Sequence, residues 1–448
     1  MKILYRAFRH VYRVGRWVRR RLTPAGALAA SAFALAAAFG ADTRQSNTYQ
    51  VFALGLALLG LSIAFALARR PRFSARRILP RYATVGEPLE YTLVVTNEGG
   101  RDLRGAALRD HLEEAFPAYG AFREARGAPG EATRNWFDRK VGYQRWEWLL
   151  RRARGGDVEE TALAPLAPGS VAPARMRLLP RRRGVLRFAA TALALPDPLG
   201  LCYGLAYRAH PGELLVLPPR YAVRALALQG ARRYQPGGVA QASKVGDSEE
   251  FMALREYRPG DPLRRVHWRS WARIGRPVVK EYQDEYFVRS ALVLDTFAGP
   301  QREAEFEAAV SVAASFACAS RTADSMLDLM FVGDQAYTFT SGRGQLPMEG
   351  MLHILAAVQP RRDAGFPRLA RAVLGRAGLL SGVVCVLLDW DPPRQDLVRR
   401  LRGLKVPVEV LVVADALHPA PDPGPMADAP GAFHVLHPAR LREQLSAL

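Results

Sequence analysis

The sequence lacks the features that mark several large classes of protein. Its three cysteines, at positions 202, 318 and 385, are too far apart for a disulfide framework or a thiolate metal site, so reduced thiols are expected. It has no Gly-x-x-x-x-Gly-Lys-Ser/Thr loop, which argues against the common phosphate-binding loop. It has no His-Glu-x-x-His or Gly-x-Ser-x-Gly motif either, so zinc proteases and α/β-hydrolases are not indicated.

One arrangement is compatible with nucleophilic catalysis. His267 and Ser270 are three residues apart and close in sequence to Asp261, and a serine beside a base is the usual form of an activated nucleophile. Three such residues often occur by chance in a polar helix. We therefore predict that the protein is not an enzyme and uses no cofactor.

The formal net charge is +21, and it is unevenly distributed. Residues 1–21 hold eight basic residues and residues 69–81 hold six, with no acidic residue in either run. These runs account for 14 of the 21 charges, so the rest of the chain is only mildly basic. This distribution argues against nucleic acid as the partner, because a nucleic-acid-binding domain usually carries its own basic face.

Two segments, residues 22–40 and 49–68, contain no charged residue. Each is long enough to span about 30 Å of hydrocarbon, so the sequence predicts a transmembrane helical hairpin over residues 22–68. Arginines on the outer flanks predict cytoplasmic termini, with only residues 41–48 outside. The alternative is a signal peptide cleaved after Gly40, but the first apolar run exceeds the roughly 7–15 residues of a signal core.

Residues 1–21 form a basic cytosolic N-terminus in this topology. Apolar residues alternate there with arginines at helical spacing, which fits an interfacial helix on an anionic leaflet. A flank that only sets the topology explains the arginines equally well.

Residues 70–220 predict a β-sandwich-like domain, because short strand-like stretches alternate with turns rich in glycine and proline. These stretches are residues 90–97, 171–178, 184–188 and 214–217. Residues 112–158 interrupt the domain as a helical insertion, whose main helix is predicted over residues 133–153. We favour a helix packed on the sandwich over a Trp/Arg face that lies on a bilayer.

Residues 221–245 are predicted to be a linker, and residues 246–285 form a distinct segment, described next. From residue 286 to residue 448, apolar strand-like runs alternate with helical patterns. Alternation of this kind predicts a parallel, doubly wound α/β sheet. Ligands of such sheets bind at the carboxyl ends of the strands.

The segment 246–285 intersperses arginines with tyrosines and tryptophans. Pro259 and Gly260 suit the two central positions of a type II turn. Asp261 is predicted to cap a helix that runs to about Arg273, and Gly275 is predicted to end it. A strand is predicted over residues 277–282.

The same segment carries a family resemblance through the following residues: Glu250-Phe251, Leu254 to Asp261, Arg264-Arg265, His267-Trp268, Ala272-Arg273, Gly275-Arg276 and Val279-Lys280-Glu281. It resembles the signature of a bacterial family known as domain of unknown function 58, and weaker resemblance extends from about residue 22 to the C-terminus. The resemblance implies two membrane spans in the bacterial cytoplasmic membrane, a β-rich domain and a von Willebrand factor A-like domain over residues 286–448. It also implies a MoxR-type AAA+ ATPase as partner.

A von Willebrand A-like domain can hold a metal ion through an Asp-x-Ser-x-Ser motif, whose oxygen atoms suit Mg²⁺. The corresponding run here begins at Asp295, but Phe297 and Gly299 replace both serines. Asp389 is a possible second carboxylate. Because phenylalanine cannot ligate, we predict a degenerate site without metal, in which Asp295 caps a helix or bonds to a loop.

The segment 246–285 has three interpretations. Arginine and tryptophan are frequent hot-spot residues at protein interfaces, they can bind nucleic acid, or they can wedge two domains together. We favour the interface, in a non-enzymatic inner-membrane adaptor or assembly factor; a nucleic-acid-binding membrane protein and an envelope-related hydrolase are the alternatives. The predicted partner-binding residues are Arg255, Glu256, Tyr257, Arg258, Gly260, Asp261, Arg265, His267, Trp268, Trp271, Arg276, Lys280 and Glu281.

Overall fold

The computed structural model describes most of the chain. The described residues are 2–39, 46–69, 71–114, 116–125, 133–223, 251–261, 263, 266–282, 288–319, 325–342, 347–363, 365–415 and 422–448. The chain forms two compact units, which we call the first unit (residues 1–219 and 352–358) and the second unit (residues 220–351 and 359–448). The predicted linker lies almost wholly outside the described residues.

In the part of the first unit that the structure describes, three helices come first and three more lie between its strands. They are α1 (Lys2–Arg21), α2 (Pro24–Phe39), α3 (Ser46–Ala68), α4 (Tyr119–Glu124), α5 (Trp136–Val141) and α6 (Tyr143–Ala153). The single helix predicted over residues 133–153 is thus two helices, because Gly142 between them has a left-handed φ of +74°. Trp146 of α6 is packed among the rings of Tyr5 and Phe122, so this part of the insertion is packed rather than free.

No helix within the described residues is both long and apolar enough to cross a membrane. α2 has 16 residues, about 24 Å at 1.5 Å per residue, which is shorter than the hydrocarbon core. The prediction of a membrane-anchored chain with two transmembrane helices is therefore wrong. The predicted outer loop, residues 41–48, lies mostly outside the described residues.

Among the described residues of the first unit, nine strands form two sheets around one core. The strands are β1 (Phe73–Ile78), β2 (Tyr82–Thr84), β3 (Leu89–Asn97), β4 (Ala107–Leu112), β5 (Gly156–Val158), β6 (Thr161–Ala162), β7 (Val171–Pro180), β8 (Gly184–Pro196) and β9 (Tyr203–Leu217). The sheet orders are β1-β3-β7-β5 and β2-β9-β8-β4-β6. Alternate residues of β3, Tyr91, Leu93 and Val95, face a core that both sheets line.

The second unit contains a two-stranded ribbon and a six-stranded sheet. Its strands are β10 (Phe251–Glu256), β11 (Val278–Tyr282), β12 (Val288–Leu294), β13 (Ser325–Val332), β14 (Ala336–Ser341), β15 (Gly382–Leu387), β16 (Val408–Val413) and β17 (Phe433–Leu436). The later helices are α7 (Trp268–Ile274), α8 (Glu303–Ala319), α9 (Met348–Ala357), α10 (Phe366–Leu374), α11 (Pro392–Gly403) and α12 (Leu441–Ala447). Residues 352–357 of α9 belong to the first unit.

The six-stranded sheet has the order β14-β13-β12-β15-β16-β17 and is mixed. β12, β13, β15, β16 and β17 pair in parallel, whereas β14 is antiparallel to β13. The turn at residues 333–335 returns the chain as a hairpin, and a hairpin needs no helical crossover. The predicted doubly wound parallel sheet of a von Willebrand A-like domain is therefore wrong.

Candidate functional site

The segment with the predicted partner-binding residues folds as a ribbon with a helix between its strands. β10 and β11 pair antiparallel, with Arg255 opposite Val279 and Glu256 opposite Val278. Val266 bridges to Val279, and the backbone N–H of His267 donates to the carbonyl of Val278 at 2.9 Å. The three valines are buried, so they fix the helix to the ribbon.

The chain reverses after β10 in the predicted turn. Gly260 has a φ of +107°, and the backbone N–H of Asp261 donates to the carbonyl of Arg258 at 3.0 Å. Positive φ at the third residue, after Pro259, is the mark of a type II turn. The prediction from Pro259 and Gly260 is confirmed.

Asp261 does not cap a helix, contrary to the prediction. Its two carboxylate oxygens accept from both terminal nitrogens of Arg255 at 2.8 and 2.7 Å, and one also accepts from the backbone N–H of Arg258 at 2.8 Å. These bonds, the one from Arg255 first, lower the pKa of Asp261 to about 2. The paired carboxylate braces the turn, because a bidentate arginine fixes its partner in both distance and angle.

The helix that follows is shorter than predicted. α7 begins only at Trp268, and its preceding residue, His267, makes no side-chain cap. Gly275 ends the helix with a φ of +77°, and its N–H donates to the carbonyl of Trp271 at 2.9 Å. The prediction for Gly275 is confirmed, whereas the predicted start at Asp261 is wrong because Arg255 binds that carboxylate.

Two tryptophans of α7 are stacked at the protein surface. The rings of Trp268 and Trp271 are 5.1 Å apart and 18° from parallel. Trp268 is 62 % exposed, and Leu263 and Ile274 nearby in sequence are also more than half exposed. Several large apolar side chains exposed within one short segment usually mark an interaction site.

The other predicted residues take several roles. Arg276 forms an exposed ion pair with Glu256, and such pairs contribute little to stability. Nδ1 of His267 lies 2.6 Å from the hydroxyl of Ser270, but within the described residues no carboxylate bonds to His267. Tyr257 and Lys280 are half-buried in the ribbon. Arg265 and the side chain of Glu281 lie outside what the structure describes.

Both carboxylates of the predicted degenerate metal site contact arginine. Asp295 is fully buried and accepts from Nε of Arg394 at 2.7 Å and from the backbone N–H groups of Phe297 and Leu388. Asp389 accepts from Arg302 at 3.0 Å. A guanidinium thus balances the charge of Asp295 at the strand end. We still predict that millimolar Mg²⁺ does not change the melting temperature of the protein.

The first unit contains a cavity of about 790 Å³ between α1, β4 and α6. Several of its charged groups pair with each other, since Glu114 accepts from Arg16 and Arg20 and Glu160 accepts from Arg109. The ring of His111 lines the cavity. Burial lowers the pKa of His111 to about 4, and Arg20 and Arg16 act in the same direction.

This histidine makes stability depend on pH. Between pH 6.5 and about 4, the unfolded chain binds a proton at His111 that the folded protein does not, so acidification favours unfolding. Stability is expected to fall by up to about 3 kcal/mol across this window. In a pH series of hydrogen-exchange measurements on peptides that cover β4, the stability of His111→Gln should fall less steeply than that of the parent chain. Identical slopes would contradict this prediction.

A comparison with known families bears on the segment around α7. Residues 253–427 match the family described as "Protein of unknown function DUF58". The resemblance predicted from the signature is therefore confirmed for this DUF58 region, which includes most of β10, the turn, α7, β11 and most of the six-stranded sheet. The description assigns no activity.

One relative and two solved structures resemble parts of the chain. The uncharacterized protein YeaD of Bacillus subtilis (strain 168) is 26 % identical over 196 residues, 43 % of this chain and 48 % of that protein, so the match spans about half of YeaD. The CARDB domain of the PF1109 protein from Pyrococcus furiosus has a TM-score of 0.18 at 11 % identity, covering 33 % of this chain and 90 % of that one. Part of alpha-2-macroglobulin from Escherichia coli has a TM-score of 0.19 at 13 % identity, covering 36 % and 21 %. Scores this low support no inference.

Three features of the site have no signal in the local sequence. The clamp between Arg255 and Asp261 forms only because the turn folds back on β10. The exposure of Leu263 and Ile274 depends on how short α7 is. Arg394 meets Asp295 across a separation of 99 residues. An alignment of relatives could reveal such pairs as covarying positions, whereas one sequence cannot.

Proposed function

We propose that the protein is a non-enzymatic adaptor that binds an acidic protein partner through the α7 surface. By the α7 surface we mean the exposed or partly exposed residues Leu263, Trp268, Arg269, Trp271 and Arg273. The single observation that carries the proposal is the stacked Trp268–Trp271 pair, of which Trp268 is 62 % exposed, in an arginine-rich segment. Tryptophan and arginine are the residues most enriched at interface hot spots.

Charge supports an acidic partner. Residues 246–285 as a whole contain eight basic and eight acidic residues, but residues 262–280, which include α7, contain six basic residues and no acidic one. Two of the acids, Glu256 and Asp261, already pair with arginines of the segment. Arg269 and Arg273 are exposed, and within the described residues neither forms an ion pair. A partner with carboxylates around an apolar pocket would complement this arrangement.

A rigid frame supports the same proposal. The Arg255–Asp261 clamp, the type II turn and the buried valines hold α7 before any partner arrives. Pre-ordered side chains lose little conformational entropy on binding, so more of the contact energy appears as affinity. By contrast, a tryptophan that acted as an internal wedge would be buried.

We propose a MoxR-type AAA+ ATPase as the partner, because the family resemblance implies it. The experiment is affinity capture of the ATPase by the tagged full-length chain, compared with Trp268→Ala and with Trp136→Ala. Trp136 is 66 % exposed in the first unit and is the matched control. Loss of capture for Trp268→Ala alone supports the adaptor. Equal capture by all three chains contradicts it.

Nucleic acid is the alternative ligand of the same residues, because indole rings stack on bases and arginines neutralise phosphates. The same variants are tested for retention on single-stranded DNA over a salt series. Retention that falls steeply with salt and depends on Trp268 would replace the protein partner by nucleic acid.

A further inference from the structure

α1 is a two-faced helix whose first face is fixed to the first unit. Tyr5 is buried, its hydroxyl donates to the carbonyl of Pro117 at 2.7 Å, and its ring lies 5.3 Å from that of Trp146. Farther along the helix, Arg16 and Arg20 both bind Glu114, at 2.7 and 2.9 Å. Contacts at both ends set the rotation of α1 about its axis.

In this orientation, an aliphatic stripe of α1 faces the solvent. Ile3, Ala7, Val11 and Val14 follow the spacing of one helix face and are all exposed, Ile3 by 82 % and Val11 by 67 %. Trp17, 56 % exposed, lies beside the stripe. A helix that only packed against the protein would turn these residues inward.

Cations border the stripe, and the sequence of α1 itself contains no anion. α1 contains Lys2 and seven arginines but no acidic residue. By helical spacing the exposed Arg6 and Arg13 lie on one side of the stripe and Arg19 lies on the other. Two copies of so basic a helix would repel each other, which argues against self-association through this face.

The next two helices of the first unit add more exposed apolar surface. Neither α2 nor α3 contains a charged residue. Leu28, Leu35, Leu54 and Leu61 on them are each more than 60 % exposed. Exposed apolar residues in this number, on the same unit as a stripe bordered by cations, suit an anionic lipid surface.

We propose that the exposed face of α1 binds an anionic lipid surface. Ile3, Val11 and Val14 enter the boundary between headgroups and acyl chains, while Arg6, Arg13 and Arg19 bind lipid phosphates. The helix lies in the plane of the surface, so no segment has to cross the bilayer. This proposal does not depend on the α7 surface, which lies in the second unit.

The experiment uses the full chain with a reporter on the stripe. In a Cys318→Ser background, where Cys202 and Cys385 are buried, Val11→Cys carries an environment-sensitive fluorophore. Vesicles of phosphatidylcholine and phosphatidylglycerol with brominated acyl chains should quench it, whereas phosphatidylcholine vesicles alone should not. The same fluorophore at Leu404→Cys, exposed in the second unit, is the control and should not be quenched.

Charge variants test the second half of the proposal. Arg6→Gln and Arg13→Gln should each lower partitioning into anionic vesicles about fivefold, the effect of one basic residue near such a surface. The control, Arg399→Gln with Arg400→Gln on α11, removes two exposed charges elsewhere and should change partitioning little.

Several results would overturn the proposal. They are vesicle binding without quenching at position 11, equal quenching by neutral vesicles, and no binding at all. Self-association that Val11→Asp abolishes would assign the stripe to a second copy of the chain instead. If Trp268→Ala no longer captures the ATPase while the fluorophore at position 11 is still quenched, the two proposals concern independent surfaces.

Discussion

Replacing Asp295 with alanine is expected to lower the free energy of unfolding of the second unit by about 3–5 kcal/mol, the usual cost of breaking a buried ion pair from one side. Arg394, 6 % exposed, would lose its fully buried partner and, within the described residues, keep the carboxylate of Asp391, 2.7 Å from its Nη1. The N–H groups of Phe297 and Leu388 would lose their acceptor as well. Burial opposes the charge of Arg394, but the contact with Asp295 raises its pKa, so the arginine stays ionised.

This loss of stability is measured locally, by hydrogen exchange of peptides that cover β12 and β15. A global melt of a two-unit chain is not simple to interpret. The double variant Asp295→Leu with Arg394→Met should recover much of the loss, since a buried pair replaced by apolar groups is often neutral. Asp396→Ala, which breaks an exposed pair with Arg400, is the control and should cost under about 1 kcal/mol. A mild effect of Asp295→Ala would contradict the assigned pairing.

Replacing Asp110 with alanine is expected to cost the first unit a similar amount, about 3–5 kcal/mol. The carboxylate is fully buried and accepts two bonds from Arg77, at 2.8 and 2.6 Å, and one each from Tyr91 and Thr191. The side chain of Arg77 is only 3 % exposed, so it would be left as a buried cation. Burial and the adjacent Asp110 raise the pKa of Tyr91, which keeps its hydroxyl as a donor.

The control for Asp110 is Glu213→Ala, because Glu213 pairs with Arg187 between β9 and β8 while both side chains are more than half exposed. It should change stability by less than about 1 kcal/mol. Exchange protection of β4 and β8 peptides measures both variants. An equal loss of stability in Asp110→Ala and Glu213→Ala would contradict the claim that the buried bonds of Asp110 stabilise the first unit more than an exposed ion pair does.

Local signals in the sequence predict local structure well in this chain. Pro259-Gly260 and Gly275 predict a turn and a helix end because the backbone angles they favour are properties of those residues. The strand-like stretch of residues 90–97 is β3, which begins one residue earlier, because its side chains alternate between buried and less buried positions as they do in a strand. The family resemblance was also predicted correctly over residues 253–427, because it too rests on a contiguous pattern of residues.

What depends on distant residues could not be predicted from one sequence. The cap expected from Asp261 failed because Arg255 binds the carboxylate. The transmembrane hairpin was inferred from charge-free windows, which say nothing about where a helix ends, and α2 ends after 16 residues. The hairpin of β13 and β14 was missed because its strand lies on a sheet edge and carries polar residues, which weakens the apolar pattern.

The most direct test of the central claim is a calorimetric titration of the full chain with the AAA+ ATPase, beside thermal melts of the same samples. Trp268→Ala should weaken binding about thirtyfold or more, as expected for loss of a hot-spot side chain, and should leave the melt unchanged because Trp268 is 62 % exposed. Trp136→Ala should bind like the parent chain. Unchanged affinity for Trp268→Ala, or a loss that accompanies unfolding, would contradict the account.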